Sequence, residues 1–199
     1  GYSVDEQWAN VKHPDVREPN SFERLPEKID LAVYAAGYNL IKNTEKLTAE
    51  DWDNVLDINL KGGFLFAAKC FERMQGVEGA LIVFISSINS LHPYPKRLPY
   101  SVSKAGLEAM VKSLAIEWGQ YGIFTHGIRL GHLDTTMQGL NLTETFLRKI
   151  KEKSPTGQLV ETSAVASYIE WLHAKGAPSL TGSVIDFEPA YTINRDPTR

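Results

Sequence analysis

The sequence predicts an α/β fold on a doubly wound parallel sheet, and three features predict it. Four short apolar runs, at 29–35, 80–85, 124–130 and 183–187, have the length of buried strands. The second is especially rich in β-branched and aromatic residues. Segments of helical period separate the four runs. Strands that alternate with helices, rather than clustering, fit a parallel sheet covered on both faces.

Taken in order, the first run, 29–35, ends in small residues and leads to Thr48-Ala49-Glu50-Asp51. That tetrapeptide reads as a capping-box start, so a helix is expected from there to about Met74. After the second run, Ser101 to Gly119 places Leu107, Met110, Val111, Leu114, Ala115 and Trp118 on one face, a stripe at 3.6 spacing. Glu161 to His173 is expected as a third helix. Gly139 to Gly157 interrupts the rhythm with a polar, helical insertion containing Phe146 and Leu147. It follows a strand end, where open α/β sheets place their ligands, and reads either as a lid over a substrate or as a solvated connecting helix. The polar tail Asn194–Arg199 is expected to fray. The 199 residues are read as one domain.

Bulk composition narrows the function classes. With 43% apolar residues the chain can bury a substantial core. A net charge of −3, without a basic stripe, disfavours nucleic acid as a partner. The longest dense apolar stretch, Ala80 to Ile85, is far too short to span a bilayer. The single Cys70 cannot form an internal disulfide, which fits a cytoplasmic location. The five histidines are scattered with no metal-ligand spacing, so no metal is expected. The triplet Asn141-Leu142-Thr143 matches a glycosylation pattern of the kind that chance supplies often.

The chemistry lies at Tyr100-Ser101-Val102-Ser103-Lys104. Residues four apart share a helical face, so a phenol and an ammonium are neighbours there. A tyrosine is a poor acid or base near neutral pH, because its ordinary pKa is about 10. A cation beside it favours the phenolate and moves that pKa toward the working range. A serine hydroxyl from a nearby strand end can hold the oxygen whose proton moves. The reaction this suits is interconversion of an alcohol and a carbonyl, with hydride going to or from a separate carrier. With eight tyrosines and thirteen lysines, chance supplies about 0.5 such pairs, so the pair alone is weak.

The surroundings change that. Ser87, at the end of the second run, stands 13 positions before Tyr100, and Asn59 stands 28 before Ser87. Ala35-Ala36-Gly37 closes the first run, and Arg129-Leu130-Gly131-His132-Leu133-Asp134-Thr135 follows the third. In order and spacing these landmarks resemble those of the short-chain dehydrogenase/reductase family, from about Asp15 to Ile193. The resemblance implies a Rossmann-like sheet, NAD or NADP as cofactor, and a small alcohol or carbonyl substrate. It makes Tyr100 the general acid/base, Ser87 the group orienting the substrate oxygen, and Lys104 the residue that lowers the phenol pKa and bonds the nicotinamide ribose. Asn59 resembles the residue holding a water that links Lys104 to solvent; its other reading is a structural polar group in a helix. Between the two serines, spacing selects Ser87, since Ser86 alternates to the opposite side of the strand.

Asp15-Val16 resembles the pair whose aspartate touches the adenine ring, and reads alternatively as a turn before Pro19. Ala35, Ala36 and Gly37 resemble the stretch along which the cofactor lies, and Thr135 the contact to the carboxamide. His92, Tyr94 and Tyr191 are candidates for a pocket lining or its rim. The helices at Thr48 and Tyr100 resemble those through which family members pair, implying a homodimer or homotetramer.

Several positions depart from the family pattern. Tyr34-Ala35-Ala36-Gly37 stands for Asn-Asn-Ala-Gly, Leu130 for the proline before Gly131, and Glu188-Pro189 for a glycine pair. The largest departure is at the front. Only Gly1 to Pro14 precede Asp15, an atypical remnant with one glycine, so the first strand, glycine-rich phosphate loop and helix are missing. Three origins are weighed: a natural chain continuing upstream of Gly1, a truncated product completed by a second copy, or a shortened member that no longer binds dinucleotide normally. The first is favoured. The rival function is a non-catalytic binding or scaffold protein. Neither NAD over NADP nor the substrate is readable.

Overall fold

The computed structural model describes residues 15–133 and 144–194. Four parallel strands lie side by side in chain order: β1 (Leu31–Tyr34), β2 (Leu81–Ser87), β3 (Phe124–Leu130) and β4 (Val184–Phe187). Each falls within or extends by two residues an apolar run expected as a strand. Among the described residues β1 is one edge of the sheet and β4 the other.

Both faces of the sheet are covered, and the period-2 alternation of β2 decides which residue meets which layer. Ile82 and Phe84 pack with Phe66, Cys70 and Met74 of α2 (Gly62–Met74) and with Leu107 and Val111 of α3 (Leu98–Trp118). Leu81 and Val83 face the other way, toward Val165 of α5 (Thr162–Trp171), Leu172, and Ala177 of α6 (Ala177–Leu180). The fold is thus α/β and Rossmann-like, with helices on both faces of a parallel sheet. The buried seam of α3 includes the expected Leu107, Val111 and Leu114.

The helix expected from Thr48 to Met74 exists, but it is not uniform. Its capping box is formed: Asp51 N donates to Thr48 Oγ1 at 3.1 Å, and Thr48 N donates to Asp51 Oδ2 at 2.9 Å. After α1 (Ala49–Leu56) the coil widens into a π-helical turn over Asp57–Lys61 before α2 begins. Tyr34 accounts for the seat of this turn. Its hydroxyl donates to the Ile58 carbonyl at 2.5 Å, and a Cβ on Gly62 would lie 2.5 Å from that same hydroxyl oxygen. The tyrosine that replaces an amide of the family pattern therefore fits because two glycines, Gly62 and Gly63, leave room for its ring. A second π-helical turn, Leu172–Gly176, joins α5 to α6, so the third helix widens where it was expected to end.

The described part of the 139–157 insertion contains α4 (Glu144–Lys153). It is pinned by buried Ile150, by Ser154 Oγ donating to the Pro189 carbonyl at 3.2 Å, and by Asn194 Nδ2 donating to the Lys153 carbonyl at 2.7 Å. Residues 134–143, and with them Thr135 and the glycosylation triplet, lie outside the described residues, as do 1–14 and 195–199. No described helix is long and apolar enough to cross a membrane.

Candidate active site

The C-terminal end of β2 and the first turns of α3 bring the three expected residues together. β2 ends on Ser87, and the chain turns at once through a short 3-10 segment, Ile88–Ser90. Helix α3 opens at Leu98 with Pro99 in its first turn, where a missing N–H costs no helical bond. Tyr100 follows, and Lys104 lies one turn further along the same face.

Lys104 is 3% exposed, and its Nζ donates to the Ile85 carbonyl at 2.7 Å while standing 5.8 Å from the centroid of the Tyr100 ring. Burial pulls its pKa down to about 8, with the Glu108 carboxylate opposing the fall. Among the described residues this ammonium has one acceptor, which leaves two donor hydrogens for other oxygens. Burial pushes the Tyr100 phenol up, while the Ser87 hydroxyl and the Arg97 guanidinium favour its ionised form. Ser87 is thus the serine at the phenol. Ser86 points away, with its Oγ donating to Glu108 Oε1 at 2.6 Å.

Asn59 sits in the first π-helical turn and is completely buried. Its Oδ1 accepts from Tyr38 N at 2.7 Å, and its Nδ2 donates to the Tyr38 carbonyl at 3.0 Å and to Ser103 Oγ at 2.8 Å. Ser103 Oγ donates in turn to the Tyr100 carbonyl at 2.7 Å. Asn59 therefore ties the loop after β1 to the helix carrying Tyr100. A Cβ on Gly37 would lie 3.6 Å from Lys104 Nζ and 3.8 Å from Asn59 Oδ1, so the backbone passes close to the site there. Ala35 is exposed, and Ala36 and Gly37 are half-buried. Asp15 is exposed and held at about 2 by the Arg17 side chain and backbone N–H; Val16 packs against the core around α2.

Three features beside the site escaped the sequence. Asn89 is 4% exposed and donates to Ser87 Oγ twice, from its backbone N and from Nδ2, each at 3.2 Å. Arg129 and Glu108 form a buried ion pair, Nη2 to Oε2 at 2.7 Å, joined by Ser86, Ser90 and Asp186. His132 stacks edge-on to Tyr191, and the Tyr94 hydroxyl meets His132 Nε2 at 3.1 Å and donates to the Tyr191 hydroxyl at 2.6 Å. Of the three candidates for a pocket lining or its rim, Tyr94 and Tyr191 touch each other, and His92 is exposed. No local spacing signals these contacts, since each joins residues far apart in the chain or hidden inside a turn. Among the described residues no group of three His, Cys, Asp or Glu side chains is arranged to hold a metal.

A family model described as enoyl-(acyl carrier protein) reductase matches residues 14–188. The chain belongs to the short-chain dehydrogenase/reductase family. It is 31% identical over 172 residues to an oxidoreductase of Thermotoga maritima, covering 83% of this chain and 68% of that protein. It is 30% identical to an NAD-dependent glycerol dehydrogenase of Listeria innocua, over 86% of this chain and 67% of that one. A 3-oxoacyl-acyl-carrier-protein reductase of Aquifex aeolicus shares 32% identity over 81% of this chain and 64% of its own length. Among solved structures, one from Agrobacterium tumefaciens described as a gluconate dehydrogenase superposes with a TM-score of 0.83 at 27% identity, covering 94% of this chain and 79% of that one. The chain spans about two thirds of the length of these curated relatives. Like them, this short-chain dehydrogenase/reductase belongs among the oxidoreductases.

Proposed function

We propose that this chain carries the proton-transfer centre of an NAD(P)-dependent oxidoreductase that interconverts a small alcohol and its carbonyl. The observation that carries this reading is the convergence of Ser87, Tyr100 and a buried Lys104 at one strand end. In the reducing direction the Ser87 hydroxyl donates to the substrate carbonyl oxygen and the Tyr100 O–H delivers its proton to that oxygen. The Lys104 charge stabilises the phenolate left behind. Alcohol oxidation runs the same proton path backwards.

The dinucleotide, when bound, supplies or accepts the hydride. The residues present fit a nicotinamide ribose, because Lys104 is buried with two donor hydrogens unused among the described residues, beside the close-approaching Gly37 backbone. Ala35 and Ala36 would line its path, Asp15 and Val16 its adenine end, and Thr135 its carboxamide. Asn59 holds the Tyr38 loop against α3 and, by resemblance, serves the relay of protons from Lys104. The 139–157 segment would act as the lid. Apolar side chains left exposed on α2 and α3, among them Phe64 and Ile116, suit a homodimer or homotetramer. The lone, buried Cys70, its thiol pushed up to about 12 by burial, suits a reducing cytoplasm.

The test combines binding and turnover. Thermal-shift titration with NADH and NADPH is expected to raise Tm with one of them and so reveal the preferred carrier. A panel of small aldehydes and ketones is then expected to oxidise that carrier with the natural chain and not with Ser87→Ala. No shift at millimolar cofactor and no turnover would favour the non-catalytic scaffold.

A further inference from the structure

We propose that Asn89 is a positioning residue that fixes the Ser87 hydroxyl as a hydrogen-bond donor, aimed at the phenol and at the reacting oxygen. This rests on the proposed function and adds a residue to it. A serine hydroxyl has one hydrogen to give and two lone pairs that accept. Asn89 fills the accepting side with two donors, its backbone N and its Nδ2, each 3.2 Å from Ser87 Oγ. The amide is itself held from turning over: its Oδ1 accepts from Tyr94 N at 3.2 Å, so Nδ2 must face the serine. With both acceptor positions occupied, the hydrogen of Ser87 is left to donate, which agrees with its favouring the ionised form of Tyr100.

The serine is also anchored from behind. Ser90 Oγ lies 2.8 Å from the Ser87 carbonyl oxygen and 2.5 Å from Glu108 Oε1, and Arg129 Nε donates to Ser90 Oγ at 3.0 Å. Asn89 and Ser87 are 4% and 8% exposed, so water does not compete readily for these bonds. The consequence is chemical. A hydroxyl held as a donor binds a carbonyl oxygen or an alkoxide-like oxygen, and steadies the ionised phenol between turnovers. A hydroxyl free to rotate does so only part of the time. Among the described residues the charged groups facing Tyr100 are Lys104, from its own helix, and Arg97, just before that helix, and neither contacts Asn89 in a described bond.

Asn89→Asp tests this in the full chain, because it keeps the side-chain shape but replaces the donating Nδ2 with an acceptor that captures the Ser87 hydrogen. The first readout needs no cofactor: the 13Cζ resonance of Tyr100 at pH 7, assigned by its loss in Tyr100→Phe. Ser87→Ala is expected to move it, and Asn89→Asp to move it the same way by a comparable amount. Asn89→Ala, which leaves the backbone donor in place, is expected to move it less. In carbonyl reduction, Asn89→Asp should lower kcat roughly tenfold while KM for the dinucleotide stays within about twofold. A structural role in the turn alone would move stability and leave the Tyr100 resonance where it was. If Ser87→Ala shifts Tyr100 and the two Asn89 variants do not, this inference fails and the proposed function stands. If Ser87→Ala itself leaves Tyr100 unmoved, the contact between serine and phenol fails, and both fall together.

Discussion

Lys104 reaches across to the Ile85 carbonyl, 2.7 Å away, and in doing so holds its charge 5.8 Å from the centre of the Tyr100 ring. The bond connects the helix that carries the phenol with the strand that carries Ser87. It also keeps the ammonium out of water. Burial lowers its pKa to about 8, so the folded chain binds this proton less tightly than the unfolded chain, whose lysine titrates near 10.5. Between those two values the unfolded state carries more protons, and stability rises with pH.

Lys104→Met should therefore flatten the pH dependence of the urea midpoint between pH 8 and 10.5. The natural chain should gain roughly 3 kcal/mol across that window. The same substitution should abolish cofactor-dependent turnover. A protein whose stability climbs equally with and without Lys104 would place its ammonium in solvent.

His132 gives the opposite end of the pH range. Burial, assisted by the Arg97 charge, holds its pKa at about 4, below the 6.5 of a free imidazole. The folded state thus takes up fewer protons as pH falls from 6.5 to 4, and stability drops through that window. Denaturant midpoints across it should fall by an amount equivalent to up to roughly 3 kcal/mol. His132→Phe should remove most of this slope, which equilibrium unfolding at pH 4.5 and 7 can measure.

The pairing of Tyr34 with Gly62 should appear as energetic coupling. Gly62→Ala places a methyl group 2.5 Å from the Tyr34 hydroxyl and 2.9 Å from the Val16 carbonyl, and overpacking of this kind costs about 1–3 kcal/mol. Tyr34→Phe removes that oxygen, along with its bond to Ile58, at a cost of about 1 kcal/mol. The double variant should be more stable than the sum of the two predicts, by chemical denaturation.

Much of this architecture was legible in the sequence. The strands announced themselves because each is a short apolar run bounded by polar turns, and Thr48 to Asp51 carries its cap in plain order. The π-helical turn at Asp57–Lys61 was not legible: its residues have ordinary helical propensities, and the cause, Tyr34, lies 23 positions earlier. The proposed proton-transfer residues stood out because their order and spacing resemble those of the family. Asn89 was not, since an asparagine two residues past a strand reads as a turn former until its amide is seen to face Ser87. Arg129 and Glu108 escaped for another reason: sequence reading treats charges as surface groups, and here the two meet in the interior.

That buried pair should be costly to break on one side only. Glu108→Ala leaves Arg129 facing Asp186 alone and uncouples Ser86 and Ser90, with an expected loss of about 3–5 kcal/mol. The Ser87 end of β2 would loosen with it. Urea unfolding measures the loss, and a change below about 1 kcal/mol would mean that water, rather than the protein, holds the pair.

The central claim is that Tyr100 moves the proton. The most direct measurement is the rate of carbonyl reduction by Tyr100→Phe under saturating NADH or NADPH, alongside its cofactor-induced thermal shift. The account predicts a shift equal to that of the natural chain and a kcat lower by about 100-fold or more, the usual scale of general acid catalysis. A variant that turns over within a few-fold of the natural chain would contradict it.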